Sequence, residues 1–225
     1  MSFRYAVGIF PERPWYVRRR PPILEDRLYF RLKRVADIVL SLAALPAILA
    51  VLAACAIAIR LDSPGPVFFF QMRTGRGGRR FRMYKLRTML RNAEELKVKY
   101  MHLNELAYPD FKITNDPRVT RVGRFLRRSS LDELPQMFNV LRGDMSLVGP
   151  RPTSFATDRY SVWHTARLEA KPGITGLWQI SGRSDIEFDE RLRLDIAYLR
   201  NQSLWLDLQI LVRTAGAVFI GKGAC

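Results

Sequence analysis

Cysteine and histidine are nearly absent from this 225-residue chain, which has two of each. Cys55 lies in an apolar run and Cys225 is the last residue, so the cysteines form no disulfide framework. His102 and His164 are too few for a His-rich or Cys/His zinc site. A bound metal is therefore expected to be a hard ion held by carboxylates and phosphate, which points to magnesium. Acids are scarce too: 21 Asp+Glu stand against 37 Lys+Arg, a net charge of +16. That balance favours a polyanionic partner, whether nucleic acid, anionic lipid or a phosphorylated substrate, without choosing among them. Gly75-Arg76-Gly77-Gly78 is not followed by Gly-Lys-Ser/Thr, which excludes a P-loop there, and no Gly-x-Ser-x-Gly elbow occurs.

What the chain has in abundance is one apolar run, Val35 to Ile59, interrupted mainly by Asp37, Ser41 and Pro46. As a helix it is roughly 37 Å long, enough to cross a bilayer core. It is too long, and too far from the N-terminus, for a cleavable signal. Lys33 and Arg34 precede it and Arg60 follows it, so charge gives no clear orientation and accepts both ends on the cytoplasmic side. Pro46 removes a backbone hydrogen bond near the middle and can kink the helix. A single span and a bent helix that re-enters the same leaflet both fit. Residues 1–28, with Arg18-Arg19-Arg20-Pro21-Pro22 at their centre, form a basic, poorly ordered lead-in suited to anionic headgroups.

Beyond the turn cluster Asp62-Ser63-Pro64-Gly65-Pro66, the pattern predicts strands over Val67–Gln71 and Phe81–Leu86 joined by a hairpin turn, with Phe68 to Phe70 in the core. Helices are expected over Thr88–Lys99 with Thr88 as N-cap, and over Arg118–Arg128 with Val119, Val122, Phe125 and Leu126 on one face. Another is expected over Leu131–Leu141, then a short strand at Met145–Val148 and a helix over Phe155–Ala170. Pro172–Gly182 has the composition of a turn–strand–turn. Phe188–Arg200 is helical, with Leu192, Ile196 and Leu199 at core spacing. Leu204–Ile220 suits an amphipathic interfacial helix or a buried core helix.

Asp132 and Glu133 stand out in so basic a chain. Pro135 is comfortable only in a helix's first turn, which puts both carboxylates at its positive end, with Ser130 and Glu133 at capping-box spacing. Acids there stabilise a helix by only ~0.3–1 kcal/mol, so they can be purely structural. The upstream Arg121, Arg124, Arg127 and Arg128 favour a second reading, in which carboxylate, guanidiniums and free N–H groups converge on phosphate. An aspartate can attack phosphorus directly while arginines and magnesium offset the charge. Strand alternation places Lys85 and Arg87 on one side, as a diphosphate clamp or an exposed basic edge. Arg151, held between Pro150 and Pro152, is either a pre-organised anion contact or part of a rigid turn.

Taken in order, the motifs resemble those of the bacterial sugar transferases that move a sugar-1-phosphate from a nucleotide sugar onto a polyprenyl phosphate. The resemblance covers roughly Lys33 to Gly223. It is carried by Lys33-Arg34-x-x-Asp37, Gly65-Pro66-Val67-Phe68-Phe69, Lys85-Leu86-Arg87-Thr88-Met89 and Asp116-Pro117-Arg118-Val119-Thr120. It continues through Leu131-Asp132-Glu133-Leu134-Pro135-Gln136, the run Arg142–Pro152 and the run Pro172–Arg183. Trp178-Gln179-Ile180-Ser181-Gly182-Arg183 looks most like exopolysaccharide enzymes using UDP-galactose or UDP-glucose. Larger relatives carry extra N-terminal membrane spans, which this chain is expected to lack.

The resemblance implies a membrane-associated, monotopic α/β domain with a small sheet, a re-entrant helix over residues 29–62 broken near Pro46, amphipathic interfacial helices, and a cytoplasmic catalytic domain over 63–225. Many relatives have Ser-Pro at the break; here it is Leu45-Pro46. It also implies Asp132 as nucleophile, with Glu133 assisting through Mg²⁺ or a proton. Lys85, Arg127 and Arg151 match phosphate or nucleotide contacts; Arg87, Gln136 and Arg183 are further candidates. The expected partners are a UDP-hexose, undecaprenyl phosphate, the cytoplasmic leaflet of the bacterial inner membrane and a second copy of the chain. Nucleic acid is not expected. The competing readings are a non-catalytic membrane scaffold of a polysaccharide assembly complex and a membrane-tethered nucleic-acid-binding protein.

Overall fold

The computed structural model describes residues 26–105, 113–154, 162–181 and 187–220. The lead-in up to residue 25, the first half of the helix expected over Phe155–Ala170, and Arg183 lie outside the described residues. The first element, α1 (Asp26–Asp62), is long and apolar enough to cross a membrane. It passes through Pro46 without leaving helical structure, so the expected break is not an interruption of the helix. Packing compensates for the lost hydrogen bond. Ala44 and Ile48, on either side of the proline, pack in one core cluster with Leu52, Cys55, Ile59, Leu86 and Leu126.

Both ends of α1 dock on the same body. Near the start, Lys33 Nζ lies 2.8 Å from Asp207, and Arg34 donates to the Val140 and Leu141 carbonyls at 2.6 and 2.8 Å. Asp37 accepts from Ser146 Oγ and Leu147 N–H at 3.1 and 3.0 Å. At the far end, the Asp62 carboxylate accepts from Val122 N–H at 3.1 Å. A straight span would separate its ends by a bilayer core of about 30 Å. Here one stripe of α1 faces the domain along its length, while Val35, Val39, Leu42, Leu49, Ile57 and Leu61 stay exposed on its other sides.

The strands form two small sheets: an antiparallel hairpin of β1 (Phe68–Thr74) and β2 (Arg80–Leu86), and a parallel pair of β3 (Ser146–Val148) and β4 (Gly173–Thr175). β2 turns Phe81 and Met83 into a cluster with Val140 and Met145. Phe68, Phe69 and Phe70 are instead 41–56% exposed, contrary to the expected core strand. Among the described residues no third strand joins the β1–β2 hairpin, and alternation along β1 cannot turn three successive aromatics to one face.

The helices begin later than the sequence predicts. α2 is Ala93–Lys99, leaving Thr88 outside it. α3 is Arg121–Arg128, capped by Thr120 Oγ1, which accepts from Gly123 N–H at 3.0 Å. Its Leu126 is buried and Val122 packs beside it, but Phe125 is 63% exposed. α4 (Gln136–Arg142) follows Pro135. Val162–Glu169 is 3₁₀ rather than α-helical, and Leu177–Ser181 forms the short α5 where a turn was expected. α6 (Phe188–Arg200) and α7 (Leu204–Ile220) close the fold. Leu194, Tyr198, Leu206 and Ile210 from this pair join Val148 and Leu177 in a third cluster. α7 combines both expectations, burying Leu206 and Ile210 while exposing Trp205, Leu208 and Val212.

Candidate active site

The carboxylate pair sits on a single 3₁₀ turn, Leu131–Glu133, between α3 and α4. Ser130 enters that turn in the left-handed conformation, φ 57°, and makes no side-chain cap. The expected capping box is therefore not formed. Glu133 is turned instead toward Lys85 and Arg151, and α4 begins three residues later. The acids precede the α-helix rather than opening it, which weakens their reading as mere helix stabilisers.

Lys85 Nζ, from the end of β2, lies 2.8 Å from Glu133 Oε1 and 3.7 Å from Asp132 Oδ2. Arg151, from the Pro150-Arg151-Pro152 turn, takes Glu133 in a fork, with Nη2 to Oε1 at 2.5 Å and Nη1 to Oε2 at 3.1 Å. Burial alone pushes the Glu133 carboxyl up, but Arg151 and Lys85 outweigh it and hold the group well below the usual carboxylate range. Asp132 is pushed the other way. Its burial and the neighbouring Glu133 charge raise it, against Lys85, Arg127 and Arg151. The pair is thus divided into a locked anion and a less constrained carboxylate of higher basicity.

Arg127 completes the cluster from the last turn of α3. Its Nε donates to Thr88 Oγ1 at 3.0 Å, and Asp132 contributes favourably to its charge without reaching ion-pair distance. Thr88, expected as a helix cap, is in fact the support for this arginine. Gly123 makes that approach possible, because a Cβ there would stand 2.0 Å from the Thr88 carbonyl oxygen.

Gln136 is buried in the first turn of α4, one helical turn beyond Asp132. Arg87 is not at the site. Alternation ends with β2 at Leu86, and the Arg87 guanidinium donates to the Pro64 and Ser63 carbonyls at 2.8 and 2.6 Å, closing the C-terminal end of α1. Asn139 is a functional support that sequence reasoning missed. Its amide accepts from Tyr84 N–H at 3.0 Å and donates to the Arg82 carbonyl at 2.7 Å, pinning α4 to β2 so that Lys85 meets Glu133. A polar residue at a core-facing helix position was the only available signal.

Among the described residues no group of three or more His, Cys, Asp or Glu gathers to make an all-protein metal cage. Two adjacent carboxylates still suit magnesium, which binds through one or two carboxylates plus substrate phosphates. Asp132 is the better donor, since both Glu133 oxygens already face cations.

The family model described as bacterial sugar transferase matches residues 28–221. The chain belongs to that family. It is 48% identical over 165 residues to the undecaprenyl-phosphate galactose phosphotransferase of Salmonella typhimurium, covering 71% of this chain and 35% of that protein. It is 48% identical over 205 residues to the UDP-glucose:undecaprenyl-phosphate glucose-1-phosphate transferase of Caulobacter vibrioides, covering 85% and 71%. The exopolysaccharide production protein ExoY of Rhizobium meliloti is 41% identical over 173 residues, covering 74% and 76%. Several other relatives are longer, and the chain spans only 37–42% of their length.

Proposed function

We propose that this protein transfers hexose-1-phosphate from a UDP-hexose to undecaprenyl phosphate, giving undecaprenyl-diphosphate-hexose and UMP. The division of labour in the carboxylate pair carries this reading: Glu133 is fixed by two cations, while Asp132 keeps a raised proton affinity beside Arg127. An Asp132 oxygen attacks the β-phosphorus, and the bond from that phosphorus to the bridging oxygen breaks. UMP leaves with the bonding electrons. An oxygen of the lipid phosphate then attacks the same phosphorus and the bond to Asp132 breaks, restoring the carboxylate. The second nucleophile is already an anion, so no histidine base is required.

Glu133 orders Lys85 and Arg151, which offer their positive charge to the diphosphate, and Arg127 offers its guanidinium to the transferring group. Magnesium, when bound, offsets further charge on the diphosphate from the Asp132–Glu133 edge. The exposed apolar face of α1, with both ends of the helix docked on the same domain, supports a membrane-associated enzyme seated in the cytoplasmic leaflet. That placement keeps Asp132 near the plane of the lipid phosphate.

The test is UMP release by protein in nanodiscs with Mg²⁺, undecaprenyl phosphate and a panel of UDP-sugars, wild type beside Asp132→Asn. Release with one sugar, lost in the variant, is the expected result and names the hexose. No release from any sugar by folded protein would refute the assignment. The scaffold reading requires Asp132→Asn to leave polysaccharide export in cells intact.

A further inference from the structure

Behind Arg151 lies a second buried ion pair that the transfer chemistry does not use. Pro152 has no N–H, so the backbone of this turn can be fixed only through the remaining carbonyls and the Arg151 N–H. The Pro150 carbonyl accepts from Gly173 N–H at 2.9 Å. The Arg151 carbonyl accepts from Arg167 Nη2, a group on the 3₁₀ segment Val162–Glu169. That same Nη2 lies 2.6 Å from Asp195 Oδ2 on α6. The Arg151 N–H faces the Asp195 carboxylate and lowers its proton affinity, without a hydrogen bond of good geometry. The Arg151 carbonyl is therefore held by an arginine that is itself paired with a buried aspartate, while the Arg151 guanidinium faces Glu133 on the other side.

The pair is a costly way to fill a core. Asp195 is 1% exposed, and neither carboxylate oxygen makes a hydrogen bond of good geometry. Its buried neighbours on α6 include the apolar Leu192 and Leu194. Desolvating two charges costs several kcal/mol per ion, and apolar replacements of buried pairs are often neutral or stabilising. Stability alone is thus a poor reason for an aspartate here.

We propose that the Arg167–Asp195 pair is a positioning device for Arg151, gripping its backbone so that the guanidinium meets Glu133 in the fork that the transfer requires. The inference rests on the reading of Asp132, Glu133 and Arg151 as the reacting centre. The charged groups facing Asp195 are Arg167 from the 3₁₀ segment, Arg151 from the Pro-Arg-Pro turn and Arg191 one turn earlier on α6. His164, on the same 3₁₀ segment, faces Asp189 at 3.6 Å instead. Burial pushes the Asp195 carboxyl up to about 7 against those three arginines. Protonation near neutrality cancels the charge that orients Arg167, so the grip loosens as pH falls.

The experiment compares wild type, Asp195→Asn and Arg167→Gln, each also carrying Arg151→Lys, by UMP release across pH and by amide exchange at Arg151. Each single substitution is expected to lower kcat by up to about 100-fold, the effect of a displacement near 1 Å at a reacting centre. With Arg151→Lys already present, each should add almost nothing, because all three act through one group. Asp195→Asn should also shift the acid side of the pH profile. Exchange of the Arg151 amide should quicken about tenfold in both variants, since the turn opens once the Arg167 grip on the Arg151 carbonyl is loosened or lost. It should stay unchanged in Arg193→Gln, which removes only an exposed contact to Glu190 on α6. Additive losses on Arg151→Lys, or unchanged Arg151 exchange, would overturn the proposal. If wild type releases no UMP from any sugar, the transfer reading fails and the exchange measurement alone decides this one. If Asp195→Asn does not fold, Arg167→Gln carries the same comparison.

Discussion

Two carboxylates in this protein, the half-buried Glu133 and the buried Asp207, have nearly the same immediate partner and do opposite things. Glu133 and Asp207 each sit 2.8 Å from a lysine, Lys85 in one case and Lys33 in the other. Around Asp207 the remaining capacity is filled by neutral hydroxyls: Tyr29 donates to Oδ2 at 3.0 Å and Tyr198 to Oδ1 at 2.6 Å. One cation, one anion and two phenols close that cluster, and it ties the start of α1 to α6 and α7. Around Glu133 the partners are charged. Lys85, Arg151 and Arg127 gather about Glu133 and Asp132, so three cations meet two carboxylates. A diphosphate brings the negative charge that such a cluster still lacks. A closed ion pair holds elements together, whereas an open one is an invitation to a ligand.

Substitutions that separate the two clusters should separate activity from stability. Asp132→Asn removes the attacking oxygen's charge while keeping its shape, and is expected to lower UMP release at least ~1000-fold. Its unfolding midpoint should stay at or above that of wild type. Burial raises the Asp132 carboxyl, so ionising it in the folded state costs stability that is fully present below the unfolded pKa and lost as pH rises. Asp207→Ala should do the reverse. It strands a part-buried ammonium and two phenols, a loss of roughly 3–5 kcal/mol. That loss is read in thermal unfolding, while kcat per folded molecule stays within about twofold. A catalytic loss in Asp207→Ala equal to that in Asp132→Asn would erase the distinction between the clusters.

Arg151→Lys probes the open cluster less severely. Lysine keeps the charge but cannot make the two-pronged contact to Glu133, and a drop of about 10- to 100-fold in kcat is expected. Glu133 itself makes the acid side of stability steeper. Its carboxyl is held far below the usual range by Arg151 and Lys85, despite burial. It therefore contributes stability above its unfolded pKa that is lost as pH falls toward the folded one. Glu133→Gln should flatten that acid-side decline in the unfolding midpoint.

Much of the site was legible because its parts come as short local signals: two acids before Pro135, an arginine between two prolines, a lysine at a strand end. Lys85 and Arg151 pair with the acids, and Arg127 stands beside Asp132. What was not legible depends on contacts that cross the chain. Arg87 was placed with Lys85 by strand alternation, but β2 ends at Leu86 and the side chain turns to the carbonyls at the end of α1. Ser130 has the spacing of a cap, and only the left-handed turn at that residue reveals that Glu133 is aimed elsewhere. Phe68 to Phe70 have the composition of a core strand, but among the described residues their hairpin has only two strands and they are exposed. Asn139 and Asp195 act through partners more than 25 residues away, and no periodicity points to either.

The smallest effect belongs to Thr88, and it tests how the open cluster keeps its one unpaired guanidinium in place. Thr88 Oγ1 accepts from Arg127 Nε, while the Thr88 carbonyl accepts from Thr120 N–H at 3.1 Å and stands against Gly123. Thr88→Val keeps the volume and the backbone contacts and removes only the acceptor. One hydrogen bond is worth about 1 kcal/mol, which corresponds to about a fivefold change in rate. The loss should fall on kcat, because Arg127 is free to swing from the position where charge develops, and Thr88→Ser should recover most of it. Arg127→Gln should lose considerably more, since it removes the charge as well. A Thr88→Val enzyme with wild-type kcat would mean that Arg127 is held by α3 alone, and that the hydroxyl contact is incidental to the transfer.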